Sequence, residues 1–120
     1  MEQKDKELLL KDICGRLPYG AKCIVKSDGY VGIISSIESQ YGVVTFDDGR
    51  QEEICDIKPY LFPLSSMTEE QYQIYWELEH YGNMEHLSLP LLDWLNKNHF
   101  DYRGLIPKGL AIDATGLNIY

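Results

Sequence analysis

The chain has no apolar run approaching the ~18 residues that a membrane-spanning helix needs, and its 120 residues therefore read as a protein without membrane anchorage. The opening stretch MEQKDKELLLKDI mixes both charge signs and lacks the apolar centre of a signal peptide, so an intracellular, cytoplasmic location is expected. Cysteine is scarce. Cys14, Cys23 and Cys55 are odd in number and form no CxxC pair, which argues against a disulfide framework and against a tetrahedral zinc site. Cys23 and Cys55 fall in strand-like runs and read as small core hydrophobes.

Catalytic signatures are missing as well. There is no GxSxG, no P-loop and no GxGxxG opening a helix. His80, His86 and His99 make no HExxH or HxH, and a spacing of six sets the first two on different helix faces. Cys14 would need a histidine beside it to act as a nucleophile, and nothing in the sequence brings one there. The expectation is a non-enzymatic protein with no metal and no cofactor.

Positive charge is short. The formal net charge is −8, and between Lys58 and Lys97 there is no lysine or arginine, while Glu69, Glu70, Glu77, Glu79, Glu85 and Asp93 all lie there. Such a surface repels phosphate, so direct nucleic-acid binding is not expected. The acidic stretch could imitate DNA or meet a basic partner; its plainer role is a solvated face that keeps the protein dispersed.

What is present has a clear order. Leu8, Leu9 and Ile13 recur at helical spacing over residues 3–14, with Gly15 as a stop signal. From residue 21 the period becomes extended. AKCIVKS, YVGIISSIES, VVTFD and QEEICDI read as four strands joined by turns, two of them Asp-Gly. Pro59 and Pro63 are expected to end the β region. Thr68 and Gln71 form a capping-box pair ahead of a helix that closes at Gly82, and Ser88 caps a third helix with Pro90 in its first turn. The last twenty residues are too rich in glycine and proline for a long helix, and GLAID offers a strand or a single turn.

Two clusters could bind. Tyr72, Tyr75, Trp76 and Tyr81 spread around the second helix more widely than one packed stripe requires, so either they pack on two sides or one side meets a partner protein. In NHFDYRGLIPKGL, residues 98–110, His99, Tyr102, Arg103 and Lys108 could offer a small ligand stacking and phosphate contacts. The structural alternative for that loop is an Asp101–Arg103 pair with Phe100 and Leu105 as anchors.

The stretches YGAKCIVK, DGYVGIISSIE and GVVTFDDGRQEEICDIKPYL resemble a Tudor-type SH3-like barrel over residues 20–61. The resemblance implies an aromatic cage for a methylated lysine or arginine, with Tyr30 and Phe46 at the two matching positions. Asp48 stands where that family has its hairpin tyrosine. A broader resemblance rests on LLLKDICGRLPYG, IKPYLFPLSSMTEEQ and DWLNKNHFDYRGLIPKGLAI. These are similar to a group of short uncharacterised proteins of gut Bacteroides-type bacteria and their phages and prophages. It implies a mobile-element setting and carries no activity with it.

The expected architecture is α+β in one compact domain, residues 1–120. A small antiparallel SH3-like barrel occupies residues 20–61, with an N-terminal helix and a C-terminal part, residues 65–120, bearing two helices. The expected function is protein binding to a host or phage protein. The alternatives are sequestration of a nucleotide immune signal, an anti-defence role, and a nucleic-acid accessory role. A homo-oligomer is a further option.

Overall fold

The computed structural model describes residues 1–81 and 89–120, the side chain of Tyr81 excepted. The expected Gly82 stop, His86 and the Ser88 cap lie outside the described residues.

Helix α1, Gln3–Arg16, lays Leu9 and Ile13 into the main core and is two residues longer than its glycine suggested. Gly15 does not stop it. A Cβ there would sit 3.4 Å from Asn96 Nδ2, so the glycine permits a close approach to the third helix. Strands β1 (Lys22–Val25), β2 (Val31–Glu38), β3 (Val43–Phe46) and β4 (Gln51–Glu53) follow as an antiparallel meander. Alternation places Cys23, Val25, Val44 and Phe46 inward. The β2–β3 register shifts between Ile34 and Ser36, which bends β2 and lets Ser35 Oγ donate to Thr45 O at 3.1 Å.

A 3-10 turn, Ile54–Asp56, leads into β5, Ile57–Pro63, and here the expected boundary holds at Pro63 and fails at Pro59. Pro59 lies inside this seven-residue strand, and Pro63 is its last residue. The Lys26 N–H bonds Asp56 O at 2.8 Å, which sets the parity of the β1–β5 ladder. Cys23 and Pro59 then oppose each other at a non-hydrogen-bonded position, where a missing N–H costs the pair nothing. Cys55 lies in the 3-10 turn rather than in a strand and is half-buried; Cys23 is fully buried.

Helix α2, Glu69–Tyr81, opens on the expected capping box: Gln71 N–H donates to Thr68 Oγ1 at 3.1 Å and Thr68 N–H to Gln71 Oε1 at 2.9 Å. Helix α3, Leu89–Lys97, buries Leu91, Leu95 and Asn96. Two short strands, β6 (Phe100–Asp101) and β7 (Ile112–Asp113), then pair in parallel with β5. The order is β4-β3-β2-β1-β5-β6, with β7 also on β5. The sheet is open: β4 and β6 are its ends, and closure into a barrel is not seen.

The main core joins α1, the meander and the C-terminal loop residues Leu105, Leu110 and Ala111. A smaller cluster of Leu91, Leu95 and Phe100 takes Tyr75 and Leu78 from α2 against it. No helix among the described residues is long and apolar enough to cross a membrane.

Candidate functional site

The loop after α3 is built around charges turned inward. Asp12 and Arg16, one turn apart on α1, are both fully buried and pair through two bonds, Nε to Oδ2 at 2.9 Å and an Nη2 to Oδ1 bond at 3.1 Å. The same Arg16 Nη2 donates to Phe100 O at 2.6 Å, tying α1 to β6. Arg103 approaches Asp12 Oδ1 at 3.6 Å, close enough for an ion pair and too long for a hydrogen bond. The Arg16 and Arg103 guanidinium carbons lie 5.2 and 4.8 Å from the centre of the Tyr102 ring, and Tyr102 Oη donates to Asn96 Oδ1 at 2.8 Å.

Arg103 and Tyr102, expected to face a ligand, pack against Asp12 and Arg16 of α1 and are both half-buried. The Asp101–Arg103 pair does not form either. The Asp101 carboxylate instead accepts the N–H groups of Leu105 and Ile106, each at 2.9 Å, and so closes the loop. Phe100 and Leu105 do anchor it. Lys108 is separate from this group and lines a shallow groove against α1 with Lys4, Glu7 and Lys11.

His99 is different. It holds a left-handed backbone, φ 60°, which is uncommon for a residue with a side chain. Its ring stacks on Tyr120 with centroids 3.5 Å apart and planes 10° from parallel. Tyr120 is fixed in turn, accepting the Lys22 N–H at 2.9 Å and donating to Tyr60 O at 3.1 Å. Burial, with the Arg16 and Lys22 charges beside it, lowers the imidazole pKa to about 4. The ring is therefore neutral at pH 7, and its Nδ1 is buried without a hydrogen-bond partner. His99 also walls a cavity of about 340 Å³. Phe62, Phe100 and Tyr120 supply aromatic surface there, and Ser66, Gln71, Lys97, Asn98 and Thr115 the polar lining. The sequence flagged His99; it could not show that residues 62–71 and 115–120 meet it.

The folded pKa of His99 lies below its ordinary value, so between pH 6.5 and about 4 the unfolded chain binds the extra proton. Stability should fall as pH drops through that window. We expect a loss of about 2 kcal/mol, below the full linkage value because solvent at the cavity screens part of the shift. Denaturant unfolding of wild type and His99→Asn at pH 6.5 and 4.2 checks this; asparagine keeps the left-handed backbone at little cost, and the pH dependence should flatten. An equally steep fall in the variant would contradict it.

The α2 surface is the other candidate. None of its described side chains is fully buried. Tyr75 and Leu78 lean on the smaller core, while Tyr72, Ile74 and Trp76 are 59%, 42% and 42% exposed. Trp76 stacks on His80 at 4.0 Å between centroids, and His80 Nδ1 lies 2.9 Å from Trp76 O, so the tryptophan ring is braced in place. Burial and the Glu79 carboxylate raise the Tyr75 phenol above its ordinary range. The structure thus brings Tyr72 and Trp76 to one surface and sets Tyr75 partly inward.

The expected cage positions are occupied from within the chain. Phe46 is fully buried and touches Tyr30 edge-on, centroids 5.2 Å apart. The Arg50 guanidinium lies 4.6 Å from the Tyr30 ring centre, held by the Asp28 and Glu52 carboxylates, and Tyr30 Oη donates to Asp48 Oδ2 at 2.6 Å. A cation already sits where a methylated side chain would stack, and Phe46 offers no wall to solvent. Gly32 is required here, since a Cβ would lie 2.8 Å from Phe46 Cδ1.

No family model, no curated protein and no solved structure matches the chain. The functional reading therefore rests on the geometry. Among the described residues no group of three or more His, Cys, Asp or Glu side chains could hold a metal ion.

Proposed function

We propose that the protein is a non-enzymatic binding module that docks a basic protein partner on α2. The observation that carries this is a helix with no fully buried described side chain, exposing Tyr72, Ile74 and Trp76 among Glu69, Glu70, Glu77 and Glu79. Aromatic side chains bury large area at low entropic cost and dominate interface energies. The surrounding carboxylates favour a cationic partner and speed its encounter.

The remaining chain is a scaffold for that helix. We read residues 20–61 as an SH3-like barrel left open on one side. What supports this is the meander, the 3-10 turn before β5 and the antiparallel pairing of β1 with β5. With the second resemblance above, the setting we infer is a phage or mobile element inside a bacterial cytoplasm, with a host or element protein as partner.

Replacing Tyr72 and Trp76 together by alanine removes exposed rings, so stability should change by no more than about 1 kcal/mol. Partners retained by the tagged wild type from a Bacteroides-type lysate should be lost, and the wild-type interaction should weaken with salt. Retention of the same partners by the double variant would overturn the reading.

A further inference from the structure

We propose that the cavity beside His99 binds a small planar anion, with its ring against the aromatic wall of Tyr120 and Phe62 and its charge at Lys97. This site is distinct from the α2 surface and does not depend on that surface binding anything.

Three independent features meet here. The first is shape: a cavity of about 340 Å³, within the range of small-molecule sites, with aromatic surface and a few polar groups around it. The second is charge. The chain carries 19 acidic residues against 11 basic ones, yet no described carboxylate side chain lines this cavity, and Lys97, exposed at its edge, makes no ion pair with any described residue. The His99 pKa is lowered first by burial and only then by the Arg16 and Lys22 charges, and Arg16 is itself paired with Asp12. In an otherwise acidic protein, the one charged side chain among the described residues lining this concavity is therefore a lysine. The third is His99 itself. A non-glycine residue held at φ 60° is a strained choice that surrounding structure must maintain, and such strain gathers at binding sites. Its neutral ring has a nitrogen with no partner, Nδ1, although only 9% of the residue is exposed.

The polar groups that remain suit an anion. Gln71 uses its Oε1 in the α2 cap, which leaves its Nε2 donors. Thr115 gives both its backbone N–H and its hydroxyl to the Asp113 carboxylate, so it offers the cavity no free donor. The Gln71 amide and the Lys97 ammonium make a donor side opposite an aromatic one. The shared chemistry is a flat ring carrying a phosphate or carboxylate.

The test is amide chemical-shift titration of the full chain with adenosine monophosphate, with benzoate, and with inorganic phosphate. Saturable shifts at Asn98, Thr115 and Gly116 are expected from at least one of the two ring-bearing probes, with phosphate alone weaker than that probe. Stronger binding of the monophosphate identifies a nucleotide-type ligand, and stronger binding of benzoate an aromatic acid. Lys97→Met, at an exposed position that the fold does not need, should weaken the tighter probe roughly tenfold, the loss of one charge-assisted hydrogen bond. His99→Asn should weaken it as well. The proposal fails if neither ring-bearing probe shifts those amides, if phosphate alone binds as tightly as both, if the shifts map to Lys4, Lys11 and Lys108 instead, or if Lys97→Met leaves the affinity unchanged.

Discussion

Asp12→Ala should destabilise the fold by about 3–5 kcal/mol, because it strands a fully buried guanidinium. Arg16 would keep only the Phe100 carbonyl and the Tyr102 ring as partners, and its Nη1 already lacks one. For a chain of this length the loss corresponds to roughly 12–20 °C in Tm. The expectation is specific to a broken pair. Exchanging both members for apolar residues of similar volume, Asp12→Leu with Arg16→Met, should recover most of the loss, since well-packed hydrophobes replace a buried ion pair at little net cost. Thermal and urea unfolding of the single and double variants measures the difference. A cost below about 1 kcal/mol for Asp12→Ala would show that the pair is solvated in solution.

Asp101→Ala should cost about 2–4 kcal/mol, since two charge-assisted hydrogen bonds go at once and the Leu105 N–H is left buried without a partner. The effect should also be local. Asp101 lies in β6, opposite Pro63 of β5, and its carboxylate shapes the loop that sends Leu105, Leu110 and Ala111 into the main core. Amide exchange at Leu105 and Ile106 should accelerate far more than exchange in β1 or β2. Asp101→Asn, which keeps one acceptor oxygen, should lie between wild type and alanine. Uniform acceleration across the sheet would mean that the carboxylate contributes only to global stability.

Features set by neighbours in sequence were legible there. The α1 stripe, the two Asp-Gly turns and the Thr68–Gln71 capping box depend on residues a few positions apart, and each stands in the fold where its spacing put it. Features set by distant partners were not. Pro59 reads as a strand terminator until the parity of its pairing with β1 is known, and that parity lives in another strand. Arg103 reads as a free cation until Asp12, on the first helix, is seen beside it. Asp101 reads as its ion partner, yet two backbone N–H groups hold the carboxylate more directly. His99 was recognisable as a polar residue in a loop of interest, but its surroundings come from β5, the start of α2 and the C-terminal segment. Closure of the sheet depends on whether β4 finds a further partner, which no local pattern specifies.

The docking role of α2 is tested most directly by placing a photo-crosslinking amino acid at Gln73, on the exposed helix between Tyr72 and Ile74, and at Tyr41, in the β2–β3 turn. After irradiation in a Bacteroides-type lysate, the cross-linked peptides are sequenced. Our account predicts a discrete adduct from position 73, a contact segment rich in lysine or arginine, and loss of the adduct when Tyr72 and Trp76 are alanine. Equal adducts from both positions, or an adduct at 73 that survives those two substitutions, would contradict it.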